Sequence, residues 1–286
     1  MKKSYLKIIG MALAAVMSMG MIAGCGSAPK SDNTTDNNTK NTATQSDIKT
    51  AQAGKLIMGT NAAFPPFEYV TSKGLVGEYD GIDVAIAKKI AEDMNVELVI
   101  EDMEFEGLIA SVQTGKVDLV IAGMTVKPER QEKVDFSDTY FTAEQSIVVA
   151  KDNTDITKAD DLKNNKKVGV VLGYTGDSIV TETLQVAENN ILRVSRGIDA
   201  VLELKNGKLD AVVIDSATAQ ALASKNDLKI VKDEAVFEAE EYAIAVKKGN
   251  SGLVQEVNKV LKEMKDSGEI DQLAQKYNSE VEAPAQ

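Results

Sequence analysis

Two stretches decide how this chain folds: LIASVQTGKVDLVIAG at 108–123 and AVLELKNGKLDAVVID at 200–215. They run in step. Each reads as a helical segment, a Gly-Lys turn at Gly115-Lys116 or Gly207-Lys208, a hydrophobic residue followed by Asp118 or Asp210, and then an apolar run. Glycine after the last helical residue is a common helix stop, because without a Cβ it enters the left-handed region freely. A short apolar run bounded by such a turn reads as a strand buried on both faces. Repetition of the unit predicts two similar α/β lobes. The competing explanation is that any short αβ turn favours glycine at that point.

The surroundings extend the pattern. Strands are expected near Val96 to Ile100, Val117 to Ala122, Ile147 to Ala150, Val168 to Val171, Asp210 to Ile214 and Tyr242 to Val246. Helices are expected at Gly107 to Thr114 and Ile198 to Lys205. Two more carry apolar stripes: Ile82, Ile86, Ile90 and Met94, with Asp83, Lys88, Lys89 and Glu92 outside the stripe, and later Leu253, Val257, Leu261 and Met264. Alternation of this kind predicts mainly parallel sheets covered by helices. The segment 59–69, interrupted by Pro65 and Pro66, is expected to be a loop. Ligands of open α/β sheets bind beyond the carboxyl ends of the strands, so the equivalent ends Gly123 and Asp215 are expected to face one cleft.

The first 24 residues have basic Lys2, Lys3 and Lys7, an apolar run from Ile8 to Ile22, and small Ala23 and Gly24. This is the layout of a secretory leader. The sole cysteine, Cys25, follows directly, and the apolar run is short for a membrane span of ~20 residues. From Ser27 to about Gln52 the chain is polar and reads as a tether that cannot offset its ordering entropy. The formal net charge of −12 argues against nucleic acid, whose phosphates call for clustered cations. With no histidine and one cysteine, neither a Ser-His-Asp triad nor a His- or Cys-ligated zinc site can be assembled. No cofactor or metal is expected.

After the first repeated strand come Gly123, Thr125, Pro128 and Arg130; after the Val168 strand come Gly173, Tyr174 and Thr175. Free N–H groups, hydroxyls and a guanidinium suit a carboxylate. Asp215, at the other strand end, requires a cationic partner if buried. An arginine from one lobe and an aspartate from the other are complementary to the zwitterionic head group of an α-amino acid. Phe64 and Phe105 can wall the rest of the ligand, although a phenylalanine beside an apolar stripe is more often core.

From Lys55 to Tyr277 the chain resembles the bacterial solute-binding proteins that deliver polar amino acids to ABC importers. The matching stretches are Gly59 to Glu68, Gly81 to Val84, Phe105 to Ile109, Asp118 to Arg130, Val134 to Ser137, Val168 to Thr175 and Leu209 to Asp215. The surroundings of Cys25 resemble a lipobox, where the cysteine becomes the lipidated N-terminus. The resemblance implies the type II periplasmic-binding-protein fold: leader 1–24, lipidated tether 25–54, first lobe 55–146 plus 241–280, second lobe 147–240 and tail 281–286. Two strands, near 147–150 and 242–246, would cross between the lobes as a hinge.

It further implies that Arg130, Gly123 and Thr125 hold the ligand carboxylate with help from Thr175, that Asp215 takes the ammonium, and that Phe64 and Phe105 flank the side chain. Asn61 stands where members binding basic amino acids often have aspartate, which weakens the case for such ligands, although Glu68 and Asp80 lie nearby in sequence. The implied partners are a small amino acid, an ABC permease with its ATPase, and the membrane through the lipid; the chain is expected to be a monomer. Rival readings are a dehydratase-like enzyme on the same fold, with Glu68, Asp80 or Asp215 as acid or base, and an amino-acid-sensing or adhesin lipoprotein.

Overall fold

In a computed structural model of the protein, residues 48–71 and 78–282 are described; the segments expected to be a leader and most of a tether, with Cys25, lie outside them. In chain order the elements are β1 (Lys55–Thr60), β2 (Ala63–Phe64), β3 (Glu68–Val70), β4 (Tyr79–Asp80), α1 (Ile82–Asp93), β5 (Glu97–Asp102), α2 (Leu108–Thr114), β6 (Leu119–Val120), α3 (Pro128–Gln131) and β7 (Val134–Ala143). There follow β8 (Gln145–Ala150), β9 (Val168–Val171), α4 (Thr175–Ser178), β10 (Ile191–Val194), α5 (Gly197–Lys205), β11 (Ala211–Asp215), α6 (Ser216–Asn226) and β12 (Leu228–Val231). The chain then returns through β13 (Glu240–Lys247), α7 (Ser251–Asp266) and α8 (Glu269–Glu282).

The strands build two five-stranded sheets, β5-β1-β6-β13-β7 and β10-β9-β11-β8-β12, one to each lobe. In the first, β1 pairs in parallel with β5 and β6, and β13 runs antiparallel to β6 and β7. In the second, β9 pairs in parallel with β10 and β11, whereas β8 runs antiparallel to β11 and β12. Each sheet is therefore a parallel trio with an antiparallel pair added.

The repeated stretches adopt the same local structure. Gly115 and Gly207 sit just past their helices at φ 77° and 69°. Beyond the turn, Asp118 Oδ2 accepts from the Ile57 N–H at 2.7 Å while its own N–H donates to the Ile57 carbonyl at 2.8 Å. Asp210 makes the same pair of bonds with Lys167, at 2.7 and 2.8 Å. Each aspartate thus clamps the parallel neighbour's start and sets the register of β6 on β1 or β11 on β9.

The sheets are buried on both faces, which is why their central strands read as unbroken apolar runs. In β8, Ile147 and Val149 pack into one core cluster while Val148 faces another; Val213 and Ile214 of β11 divide in the same way. Helix α7 buries Leu253, Val257, Leu261 and Met264 as its stripe predicts, and adds Val260. Helix α8 packs against α1, α7 and α6, so it touches both lobes.

Two expectations need correction. Asp83, placed by its periodicity outside the α1 stripe, is fully buried. It accepts from the Gly123 N–H at 2.8 Å and from the Tyr140 hydroxyl at 2.9 Å, and these donors make burial tolerable. The segment around Pro65 and Pro66 holds more regular structure than a loop: β2, β3 and β4 form a small antiparallel sheet, with the prolines confined to the turn between β2 and β3.

The chain changes sheets at Glu144, where β7 gives way to β8. Ala143 still pairs with Glu240 in the first sheet, and Gln145 already pairs with Asp215 in the second.

Candidate ligand-binding site

The carboxyl ends of the parallel strands point at one another across the junction. Asn61 follows β1, Phe105 follows β5 and Gly123 follows β6; Thr175 follows β9 and Asp215 ends β11. Between them lies a small, nearly filled cavity, lined by Phe64, Phe105, Ala122, Gly123, Thr125, Arg130, Gln145, Tyr174, Thr175, Asp215 and Tyr242. All the site residues singled out from the sequence line it except Asn61. Asn61 stands one hydrogen bond behind the wall, accepting from the Tyr174 hydroxyl at 2.9 Å and donating its amide to the Met103 carbonyl at 2.8 Å.

Arg130 sits in the first turn after Pro128, whose fixed φ suits the start of a helix. Its guanidinium donates to the Thr125 carbonyl at 2.8 Å and, across the cleft, to the Gly173 carbonyl at 3.0 Å, and it lies 5.2 Å from the Phe105 ring centre. It is buried, and burial pulls its pKa below the ordinary arginine value. Among the described residues it has no carboxylate within ion-pair distance.

Asp215 is the opposite case. It is 2% exposed and caps α6, accepting from the N–H groups of Ala217 at 2.9 Å and Thr218 at 3.2 Å, and it accepts from the Tyr242 hydroxyl at 2.7 Å. Burial pushes its pKa up to about 6, although these donors pull the other way. It too has no ion-pair partner among the described residues. One buried cation and one buried carboxylate, each without a charged partner, therefore line the same cavity, a costly arrangement unless a ligand completes it.

The remaining polar groups satisfy one another. Thr125 donates to Glu240 Oε2 at 2.7 Å, so at 3.0 Å it accepts from Thr175. The Gly123 N–H is committed to Asp83 and is not free for the ligand carboxylate that the resemblance assigns to it. Gly123 is also a steric requirement, since at φ 50° an added Cβ would lie 2.6 Å from Phe64.

Tyr174 meets Phe64 at 5.2 Å and Phe105 at 4.6 Å in edge-on contacts, completing an aromatic trio across the cleft. Sequence reasoning missed Gln145, Tyr174 and Tyr242 as lining residues. Tyr174 was adjacent to Thr175 in a stretch already singled out, whereas Gln145 and Tyr242 are placed only by the crossing of chains between sheets. Glu68, offered from the sequence as a nearby acid, is wholly buried and does not line the cavity.

Contacts between lobes extend beyond the cavity. Arg196 reaches Asp102 at 3.2 Å and Lys127 reaches Ser178 at 3.2 Å. Together with Arg130, Tyr174 and the threonine pair they bridge the two lobes.

The chain is similar to several known proteins. The arginine-binding extracellular protein ArtP of Bacillus subtilis is 39% identical over 225 residues, 78% of this chain and 86% of ArtP. The ABC transporter glutamine-binding protein GlnH of the same organism is 31% identical over 277 residues, 96% of this chain and 98% of GlnH. A solved structure of an ancestral arginine-binding protein bound to glutamine is similar with a TM-score of 0.72 at 43% identity, covering 79% of this chain and 98% of that one. Residues 56–280 match the profile of the bacterial extracellular solute-binding proteins, family 3, and the chain belongs to that family.

Proposed function

We propose that this chain is the capture component of an ABC importer for a polar α-amino acid, which it closes upon between its two lobes. One observation carries the reading: Arg130 and Asp215, opposite in charge and buried without ion-pair partners, line a single cavity from different lobes. The ligand carboxylate would meet Arg130 and insert between the Thr125 and Thr175 hydroxyls. The ammonium would meet Asp215. Binding to both lobes favours the closed state, since a ligand shifts such an equilibrium only by its differential affinity for the two forms.

The aromatic trio of Phe64, Phe105 and Tyr174 would take the ligand's side-chain stem. Among the described residues Asp215 is the one carboxylate on the cavity wall, which suits a head group better than a second, cationic side-chain group. That is consistent with a neutral Asn61. Relatives named for arginine and for glutamine make L-arginine and L-glutamine the first two ligands to compare.

The chain works outside the cytoplasmic membrane, held there by lipid on Cys25, as a monomer of two lobes with boundaries near 146 and 240. A binding role rather than catalysis is supported by the wall itself, where each charged group has a sufficient task in holding a head group. Calorimetry with ligand-stripped protein tests the function: saturable binding of one amino acid per chain, lost in Arg130→Ala and Asp215→Ala, is expected. Steady consumption of the bound amino acid would favour the enzyme reading instead.

A further inference from the structure

Behind the cavity wall lies a second acidic constellation that ligand capture does not use. Glu68 on β3 is 0% exposed, and among the described residues neither of its carboxyl oxygens receives a hydrogen bond. Asp83 on α1 is its neighbour: the Asp83 N–H donates to the carbonyl of Phe67, the residue before Glu68, at 2.9 Å, and the two buried carboxyls act on each other's charge. Asp83 is already furnished with donors, taking the Gly123 N–H at 2.8 Å on Oδ2 and the Tyr140 hydroxyl at 2.9 Å. Among the described residues, the other charged or titratable groups acting on Glu68 are Asp102 at the end of β5, Asp215 at the end of β11, Tyr140 on β7 and Tyr174 across the cleft. None is a cation.

Two ionised carboxylates cannot face each other in a buried site without a counter-charge; one proton between them turns the repulsion into a hydrogen bond. The donor inventory decides where it goes. Asp83, with two donors, is suited to the anion, whereas Glu68, with none, is suited to the acid.

We propose that Glu68 is held as a neutral carboxylic acid that donates its proton to Asp83, and that this pair is a positioning device fixing Gly123 at the cavity floor. The device rests on the binding reading only in its second half. Asp83 holds the Gly123 N–H at 2.8 Å and so fixes that residue where it lines the cavity. Glu68 supplies the acceptor's remaining bond and spares the site a second charge. Burial and the neighbouring Asp83 both push the Glu68 pKa well above its ordinary value, and burial raises that of Asp83 to about 6.

The test uses the full chain and Glu68→Gln, which keeps shape and donor but cannot ionise. At pH ~8, where free carboxyls are ionised, infrared difference spectra should show the carbonyl stretch of a protonated carboxylic acid in the wild type and lose it in the variant. Linkage gives a second readout. A carboxyl that holds its proton more tightly when folded favours folding fully below its unfolded value near 4.5, and that advantage falls away as pH rises toward the folded value. Glu68→Gln should therefore gain stability over the wild type progressively above that pH.

For the positioning half, Glu68→Ala should weaken binding of L-arginine or L-glutamine about tenfold, and Glu68→Gln should restore it to within about twofold. A wild type without the acid band, or parallel stability profiles for wild type and Glu68→Gln, would overturn the shared proton. Equal affinity in Glu68→Ala and the wild type would overturn the positioning role. The band and the pH gap without binding of any amino acid would leave the pair standing and overturn the proposed function.

Discussion

Replacing Asp215 with asparagine should move stability and binding in opposite directions. Asparagine can retain the cap on α6 through its carbonyl oxygen, so the local fold survives. What it removes is a buried charge. The carboxyl pKa rises from 3.8 to about 6 on burial, and ~2 pKa units correspond to ~3 kcal/mol of cost to the ionised form. Imperfect satisfaction of the new amide reduces the gain, and we expect Asp215→Asn to stabilise the ligand-free protein by ~1–3 kcal/mol at neutral pH.

The sign follows from linkage. A folded pKa above the unfolded one favours folding below pH 3.8 and loses that advantage as pH rises through about 6. The gap between variant and wild type should therefore open across that window and stay open above it.

Affinity should fall, because the ligand ammonium would enter the cavity without its partner. Breaking a buried pair costs ~3–5 kcal/mol, a loss of roughly a hundred- to a few-thousand-fold. Urea denaturation across the pH range reports the first effect and titration calorimetry the second. A variant less stable than the wild type at pH ~7, a gap independent of pH, or unchanged affinity would each refute the assignment of Asp215 as an unpaired anion awaiting a cation.

Further outcomes follow from neighbouring geometry. Arg130→Lys keeps the charge but cannot span the Thr125 and Gly173 carbonyls while facing a carboxylate, so calorimetry should show a loss of ~2–3 kcal/mol in binding. Arg196→Ala removes an ion pair in which the arginine side chain is 42% exposed, so closure should lose less than ~1 kcal/mol, read as a few-fold weaker affinity that high salt reproduces in the wild type. Gly123→Ala forces a Cβ onto Phe64 at a left-handed position, and a cost of ~1–3 kcal/mol should appear as a lowered melting temperature together with weakened binding.

The sequence is most informative where physical requirement and pattern coincide. The Gly115 and Gly207 turns and the Asp118 and Asp210 clamps recur because each solves the same problem, ending a helix and setting a parallel strand's register. The repeat therefore leads directly to the strand ends around the cavity. The amphipathic stripes of α1 and α7 were legible for the same reason.

Residues whose role depends on a distant partner were less accessible. Asp83 sits on the polar side of its helix by periodicity, yet is buried because Gly123 and Tyr140, 40 and 57 positions away, bring it donors. Gln145 and Tyr242 reach the cavity only because β8 and β13 are the strands adjoining the passage between lobes. The hairpin at 63–70 was hidden by its two prolines, which signal a turn but not the short strands beside it.

The proposed function rests on a zwitterionic head group completing the Arg130 and Asp215 pair. Its most direct test is titration calorimetry of the ligand-stripped chain against the twenty standard amino acids together with cystine, ornithine and citrulline. Binding of one amino acid per chain is expected, abolished when either the α-carboxylate or the α-ammonium is blocked as an amide or an acetyl derivative. Full affinity for a doubly blocked ligand, or no binding to any member of the set, would contradict it.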